Sequence, residues 1–265
     1  MTLRAVLLTV AFTGLMPLSA FAADAKLDAA VASPIRAHEN SVRDGARHPA
    51  ASLEFWGLKP GQTVIEIAPG GGYWSEILAP YAKETGGHYI AATGKADQKL
   101  PDKFADKAKY GDIHYTVFSN SSGPMGPAIS ADLVITARNV HNWIGDGTAD
   151  KAMKDFYTVL KPGGILAVEE HRADPKPEAA NANTGYMSTQ HVIKLATKAG
   201  FKLEARSEIN ANPKDTKDHP FGVWTLPPTR LSNENGKPSP AGFDRAKYDA
   251  IGESDRMTLR FRKPA

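Results

Sequence analysis

A seven-strand α/β fold, built on a doubly wound and mostly parallel sheet, is predicted by three observations. Short apolar runs alternate with helix-patterned stretches from Thr63 to Ala199, the order expected of βαβ units. The first of these runs, Val64-Ile65-Glu66-Ile67-Ala68, breaks at Pro69 into three consecutive glycines, Gly70, Gly71 and Gly72. Glycine there allows positive φ and close approach of a ligand to the main chain, beside a helix start with unpaired N–H groups. Finally, about 243 residues follow the N-terminal leader, within the roughly 200–250 that one α/β domain commonly takes.

Residues 1–22 hold Arg4, an apolar core from Ala5 to Leu18 and the small-x-small run Ala20-Phe21-Ala22, the layout of a cleavable signal peptide. That core, about 14 residues with Gly14 and Pro17 inside it, is shorter than the roughly 20 residues that span a bilayer. The expectation is an exported, periplasm-type domain over 23–265 with no stable membrane insertion after cleavage; retention of the leader would leave it in the cytoplasm. The chain has no cysteine, so disulfides, thiolate nucleophiles and cysteine metal sites are excluded together.

A helical arm is expected over 23–58. Its last helix runs from about Ala50 to Trp56, with Pro49 at the start and Gly57 as the stop. Lys59-Pro60-Gly61-Gln62 then turns into strand one, Thr63 to Ala68. Strands two and three are His88 to Ala92 and Ile113 to Val117, with a short helix from Pro101 to Lys109 between them. Strand four is Asp132 to Thr136, followed by a helix from Thr148 to Leu160, the turn Lys161-Pro162-Gly163-Gly164 and strand five, Ile165 to Glu170. A helix from Ser188 to Ala199 closes at Gly200, and Phe201 to Ile209 and Met257 to Arg262 are strands six and seven. Between them, 212–255 is rich in Pro, Gly, Asn and Asp but carries Phe221 and Trp224 among prolines, which suits an ordered flap.

A formal net charge of +3, with acids and bases interspersed, gives no footprint for nucleic acid and points to a small-molecule partner. The sequence does not set an oligomeric state. A dinucleotide fingerprint fails because Ser75 stands at its third glycine. A phosphate-binding Walker loop fails because Tyr89 stands where its first glycine would precede Gly94-Lys95.

Glu66-Ile67-Ala68-Pro69-Gly70-Gly71-Gly72, with Lys161-Pro162-Gly163-Gly164 before strand five and Asn139-Val140-His141-Asn142-Trp143 after strand four, resembles the class I S-adenosylmethionine-dependent methyltransferases. The likeness covers roughly residues 45–210. It implies a Rossmann-like, three-layer α/β/α fold with the last strand antiparallel, S-adenosylmethionine as cofactor and methyl transfer to a small acceptor. It further implies that Glu66 orients the amino-acid end of the cofactor and that Ala68, Gly70, Gly71, Gly72 and Asn139 border it. The family usually ends strand two in an acid that holds the ribose; here the chain reads Ala92-Thr93-Gly94, which leaves Thr93 or Asp97 to substitute. An exported binding protein that kept this fold without catalysis is the alternative, and side chains filling the crevice would mark it.

Ligands of open α/β sheets sit beyond the carboxyl ends of the strands. That rule gathers Glu66, Arg138, Asn139, His141, Asn142 and His171. His141 and His171 are the candidate acid–base residues, since an imidazole can take a proton from an acceptor near neutral pH; the competing role for each is packing or capping. His141, Glu169, Glu170 and His171 would suit a transition metal chemically, but no His-x-x-x-His or His-Glu-x-x-His spacing is present, and no metal is expected. His38, Arg43, Asp44, Arg47 and His48 read as a solvated, ion-paired helix face, with Arg43 or Asp44 able to reach a ligand.

Overall fold

The computed structural model describes residues 24–175, 181–234 and 236–265. The leader of residues 1–22 lies outside the described residues. Among the described residues no helix is long and apolar enough to cross a membrane.

The helical arm comprises α1 (Ala25–Val31), α2 (His38–Ser41), α3 (Asp44–Arg47) and α4 (Pro49–Phe55). Then follow β1 (Thr63–Ile67), α5 (Ser75–Thr85), β2 (His88–Thr93), α6 (Lys107–Tyr110), β3 (Ile113–Val117), β4 (Ala131–Ala137), α7 (Val140–Gly145) and α8 (Ala149–Val159). The chain ends with β5 (Leu160–His171), α9 (Thr189–Lys198), β6 (Lys202–Ser207), α10 (Arg245–Ile251) and β7 (Arg256–Arg262). One seven-stranded sheet has the order β3-β2-β1-β4-β5-β7-β6. The pairs among β1 to β5 are parallel, and β7 runs antiparallel between β5 and β6. The order in which strands are added reverses between β1 and β4, the switch point where such sheets open a crevice.

Alternation along β1 shows how the sheet is covered on both faces. Ile65 and Ile67 join one buried cluster with Met153 and Phe156 of α8 and Val192 of α9, while Val64 joins the other with Leu27, Leu53, Ile77 and Leu78. Side chains two residues apart share a face, so Glu66 falls on the side of α5. Leu27 and Ala30 bury α1 against the second cluster, so the arm is part of the core and not a loose extension.

The sequence reading leaves α7 unassigned, and two further elements depart from it. The helix expected over 101–109 divides into a 3₁₀ turn, Asp102–Ala105, and α6. Asp106 interrupts it because its carboxylate caps α6, accepting from the Ala108 and Lys109 N–H groups. The turn at Lys161–Gly164 is drawn into β5: Leu160 already pairs with Ala131, and the register shifts before Leu133 pairs with Ile165. Gly163 at φ 78° absorbs that irregularity, and its N–H reaches the Lys263 carbonyl at 2.9 Å.

The 212–255 segment folds over the carboxyl ends of the strands. It contains a 3₁₀ turn, Gly222–Thr225, and α10. Asp215 anchors it, accepting from Tyr186 Oη at 2.8 Å, the Asp255 N–H at 2.7 Å and His219 Nε2 at 2.8 Å.

Candidate active site

Beyond the end of β1 the backbone takes left-handed values at Ala68 (φ 49°), Gly70 (φ 57°) and Gly72 (φ 85°). A Cβ at Gly70 or Gly71 would meet nothing within 4 Å, whereas one at Gly72 would strike the Phe104 ring at 2.6 Å. The first two glycines therefore face open space, and the third lets the loop close onto Phe104. No side chain caps α5; the loop does so itself, its Gly72 and Trp74 carbonyls accepting from the Glu76, Ile77 and Leu78 N–H groups.

A cleft of about 250 Å³ opens here, bordered by Glu66, the glycine loop, Arg43, Arg47, Tyr73, Arg138 and Asn139. Glu66 is 3% exposed. Its Oε2 accepts from Tyr89 Oη at 2.6 Å and Ser75 Oγ at 2.8 Å. Burial outweighs those two donors and pushes its pKa up to about 7. Asn139 bridges two strand ends, donating to the Ile67 carbonyl at 3.2 Å and Thr136 Oγ1 at 3.3 Å.

The opposite wall is made of arginines. Glu253 accepts from Arg43 Nε at 2.8 Å, Arg47 Nε at 2.9 Å and Arg256 Nη1 at 2.7 Å. Arg47, read from the sequence as solvated, is 1% exposed. The salt-bridge network and the Tyr73 ring, 4.4 Å from its guanidinium carbon, account for its burial. Asp44 is held by Arg36 at 2.6 and 2.7 Å and by Tyr73 Oη at 2.7 Å. Arg43 Nη2 and Arg47 Nη2 are buried without a hydrogen-bond partner among the described residues, two N–H donors left over for a ligand.

A second cavity, about 220 Å³, adjoins the first through Arg138 and is bordered by His141, His171, Trp224, Pro227 and Ser254. Glu170 accepts at Oε1 from His141 Nδ1 (3.0 Å) and the His171 N–H (2.8 Å), and at Oε2 from the His141 N–H (3.1 Å). A carboxylate oxygen facing Nδ1 of His141 requires the N–H on that nitrogen, so in the neutral ring Nε2 is the one with the lone pair. His171 Nδ1 lies 2.5 Å from Ser254 Oγ. Burial, with Arg138, His141 and Arg256 nearby, holds the His171 pKa well below the ordinary value. One ligand atom each from His141, Glu170 and His171 lies within 4.8 Å of the others. With both oxygens of Glu170 engaged by N–H donors and two arginines adding positive charge, this cluster reads as an oriented imidazole rather than a cation site.

The structure thus brings Glu66, Ala68, Gly70, Gly71 and Asn139 to the first cavity and His141 and His171 to the second. Gly72 lies behind the cleft, under Phe104. Thr93 is 3% exposed, and its hydroxyl donates to the Lys95 and Gln98 carbonyls; Asp97 is exposed. Glu253 and Arg256 escaped the sequence reading. The antiparallel direction of β7 was the available signal, because it puts the start of that strand, and the charges just before it, at the carboxyl ends of the others.

A seven-strand sheet of this order, with an acid and a glycine loop after its first strand, defines a Rossmann-like methyltransferase. The chain belongs to the class I S-adenosylmethionine-dependent methyltransferase family, and S-adenosylmethionine is its cofactor. It is 30% identical over 208 residues, 76% of this chain and 73% of the other, to a ubiquinone/menaquinone biosynthesis C-methyltransferase UbiE of Hydrogenovibrio crunogenus. Among solved structures it resembles the [4+2]-cyclase SpnF, with TM-score 0.58 and 17% identity over 83% of this chain and 82% of that one. It also resembles the Burkholderia thailandensis 1,6-didemethyltoxoflavin-N1-methyltransferase with bound 1,6-didemethyltoxoflavin and S-adenosylhomocysteine, with TM-score 0.51 and 13% identity over 83% and 77% of the chains. No family model matches the chain. The residues fit the cofactor: the loop is open at Gly70 and Gly71, Glu66 borders the cleft, and two arginine N–H groups stand free.

Proposed function

We propose that this protein methylates a small acceptor held in the second cavity, with His141 as the general base. The observation that carries the reading is the His141–Glu170 pair, which turns Nδ1 of the imidazole to the carboxylate beside a cavity that shares Arg138 with the cofactor cleft. Bound S-adenosylmethionine supplies an electrophilic methyl on a sulfur that departs as a neutral thioether. Glu66 and the Gly70–Gly71 backbone hold its amino-acid end, and Arg43 and Arg47 face its carboxylate. Glu170 fixes the ring of His141, whose Nε2 accepts the proton of the attacking atom. Trp224 and Pro227 shield that transfer from water. Positioning supplies much of the rate in such displacements, and a base adds about 10²–10⁴-fold.

Calorimetric titration of chain 23–265 with S-adenosylmethionine and S-adenosylhomocysteine tests the cofactor half. Gly70→Asp is the control, because its side chain enters open space in the cleft, at the cost of a side chain at φ 57°; circular dichroism checks that the variant folds. Micromolar binding that the control abolishes is the expected result; no binding at millimolar ligand would end the reading. Once an acceptor is turned over, His141→Gln should lower kcat about 10²-fold or more while leaving S-adenosylhomocysteine affinity unchanged.

A further inference from the structure

Three guanidiniums border the two cavities, and two of them, Arg43 and Arg47, share Glu253. Arg138 is the exception. Among the described residues its guanidinium makes no ion pair and no hydrogen bond, and its Nε is buried without a partner. It stands just after β4 in a left-handed conformation, φ 62°, that a side chain of this size rarely adopts. The Arg138 N–H, 2.8 Å from the Glu169 carbonyl, holds it there. An arginine cannot shed its charge, so a guanidinium placed this way is a cation awaiting an anion.

The cofactor's own carboxylate has other partners. Arg43 and Arg47 each keep a free Nη2, and both border the first cavity and not the second. Arg138 alone of the three borders both. Around it in the second cavity stand a neutral His171, the His141 ring, the apolar surfaces of Trp224 and Pro227, and Glu253, whose carboxylate is already held by Arg43, Arg47 and Arg256. A volume of about 220 Å³ is below the roughly 300 Å³ at which drug-sized sites begin. S-adenosylmethionine carries a net positive charge, so an anionic acceptor is the partner that balances the loaded site.

We propose, on the methyltransferase reading above, that the acceptor is a small carboxylic acid with a planar apolar body. Its carboxylate pairs with Arg138, and its body lies against Trp224 near His141. Arginine's planar fork matches a carboxylate in two parallel hydrogen bonds, so the pairing also sets which edge of the acceptor faces His141.

The test is calorimetry on the full chain, with and without saturating S-adenosylhomocysteine, using benzoate and its uncharged isostere benzamide as probes. The wild type should bind benzoate at least tenfold tighter than benzamide. Arg138→Gln should erase that preference, keep S-adenosylhomocysteine affinity within threefold, and unfold at or above the wild-type midpoint because an unpaired, half-buried charge is gone. Equal binding of the two probes, or binding of neither at millimolar concentration, overturns the proposal. A tenfold or greater loss of S-adenosylhomocysteine affinity in Arg138→Gln also overturns it, since the guanidinium would then belong to the cofactor. Failure of the wild type to bind S-adenosylhomocysteine sinks the methyltransferase reading separately, and the cofactor-free titrations still decide whether the cavity selects carboxylates.

Discussion

Replacing Glu66 by glutamine should make the cofactor-free protein more stable above neutral pH, although it removes a residue of the site. Glu66 ionises at about 7 in the fold against 4.5 for an unperturbed carboxyl, and desolvation is the cause. The folded state therefore binds more protons than the unfolded state between those values. Wild-type stability is greatest below pH 4.5, declines as pH rises toward 7, and is level above it as far as this group is concerned. The difference amounts to about 3 kcal/mol. Glutamine keeps an oxygen for Tyr89 and Ser75 but cannot ionise, so the gap between the two proteins should open across that window. Urea denaturation of both proteins at pH 4.5, 6 and 8 measures it. A ligand ammonium beside Glu66 would favour the ionised form, so S-adenosylhomocysteine affinity in the wild type should also rise about tenfold from pH 6 to pH 8. Parallel pH profiles for wild type and Glu66→Gln would refute the desolvation argument.

Ala68 carries φ 49° where the family places glycine, so Ala68→Gly should raise stability by about 0.5–1 kcal/mol in denaturant titration. Gly72→Ala would set a methyl 2.6 Å from the Phe104 ring at φ 85°; a loss of about 2–3 kcal/mol is expected, read as a lower thermal midpoint. Glu253→Gln leaves three buried or half-buried guanidiniums without their shared carboxylate. It should lose about 3–5 kcal/mol and weaken S-adenosylhomocysteine binding in the same calorimetric assay.

The order of elements was legible because it rests on local patterns. Apolar runs gave each strand to within a residue or two, apart from the early start of β5, and the acid-and-glycine run located the cofactor cleft. His141 and His171 were legible as strand-end residues, but their pairing was not. Glu170 looked like half of an acidic pair until the structure turned it toward the His141 ring and left Glu169 against Arg256. Arg43 and Arg47 were misjudged for a related reason. Local composition makes an Arg-rich helix look solvated, whereas their burial depends on Glu253, more than 200 residues away. Sequence patterns report neighbours along the chain, and a charge network closed by one distant carboxylate has no such signature.

The Glu253 junction also fixes when the site can exist during biosynthesis. The glycine loop and β1 are made early, but Arg43 and Arg47 acquire their counter-ion only when residue 253 has emerged and β7 has inserted between β5 and β6. Pairing of such distant segments is slow compared with local folding. A nascent or truncated chain would hold the loop without the wall that faces it, so cofactor capture would report completion of the polypeptide.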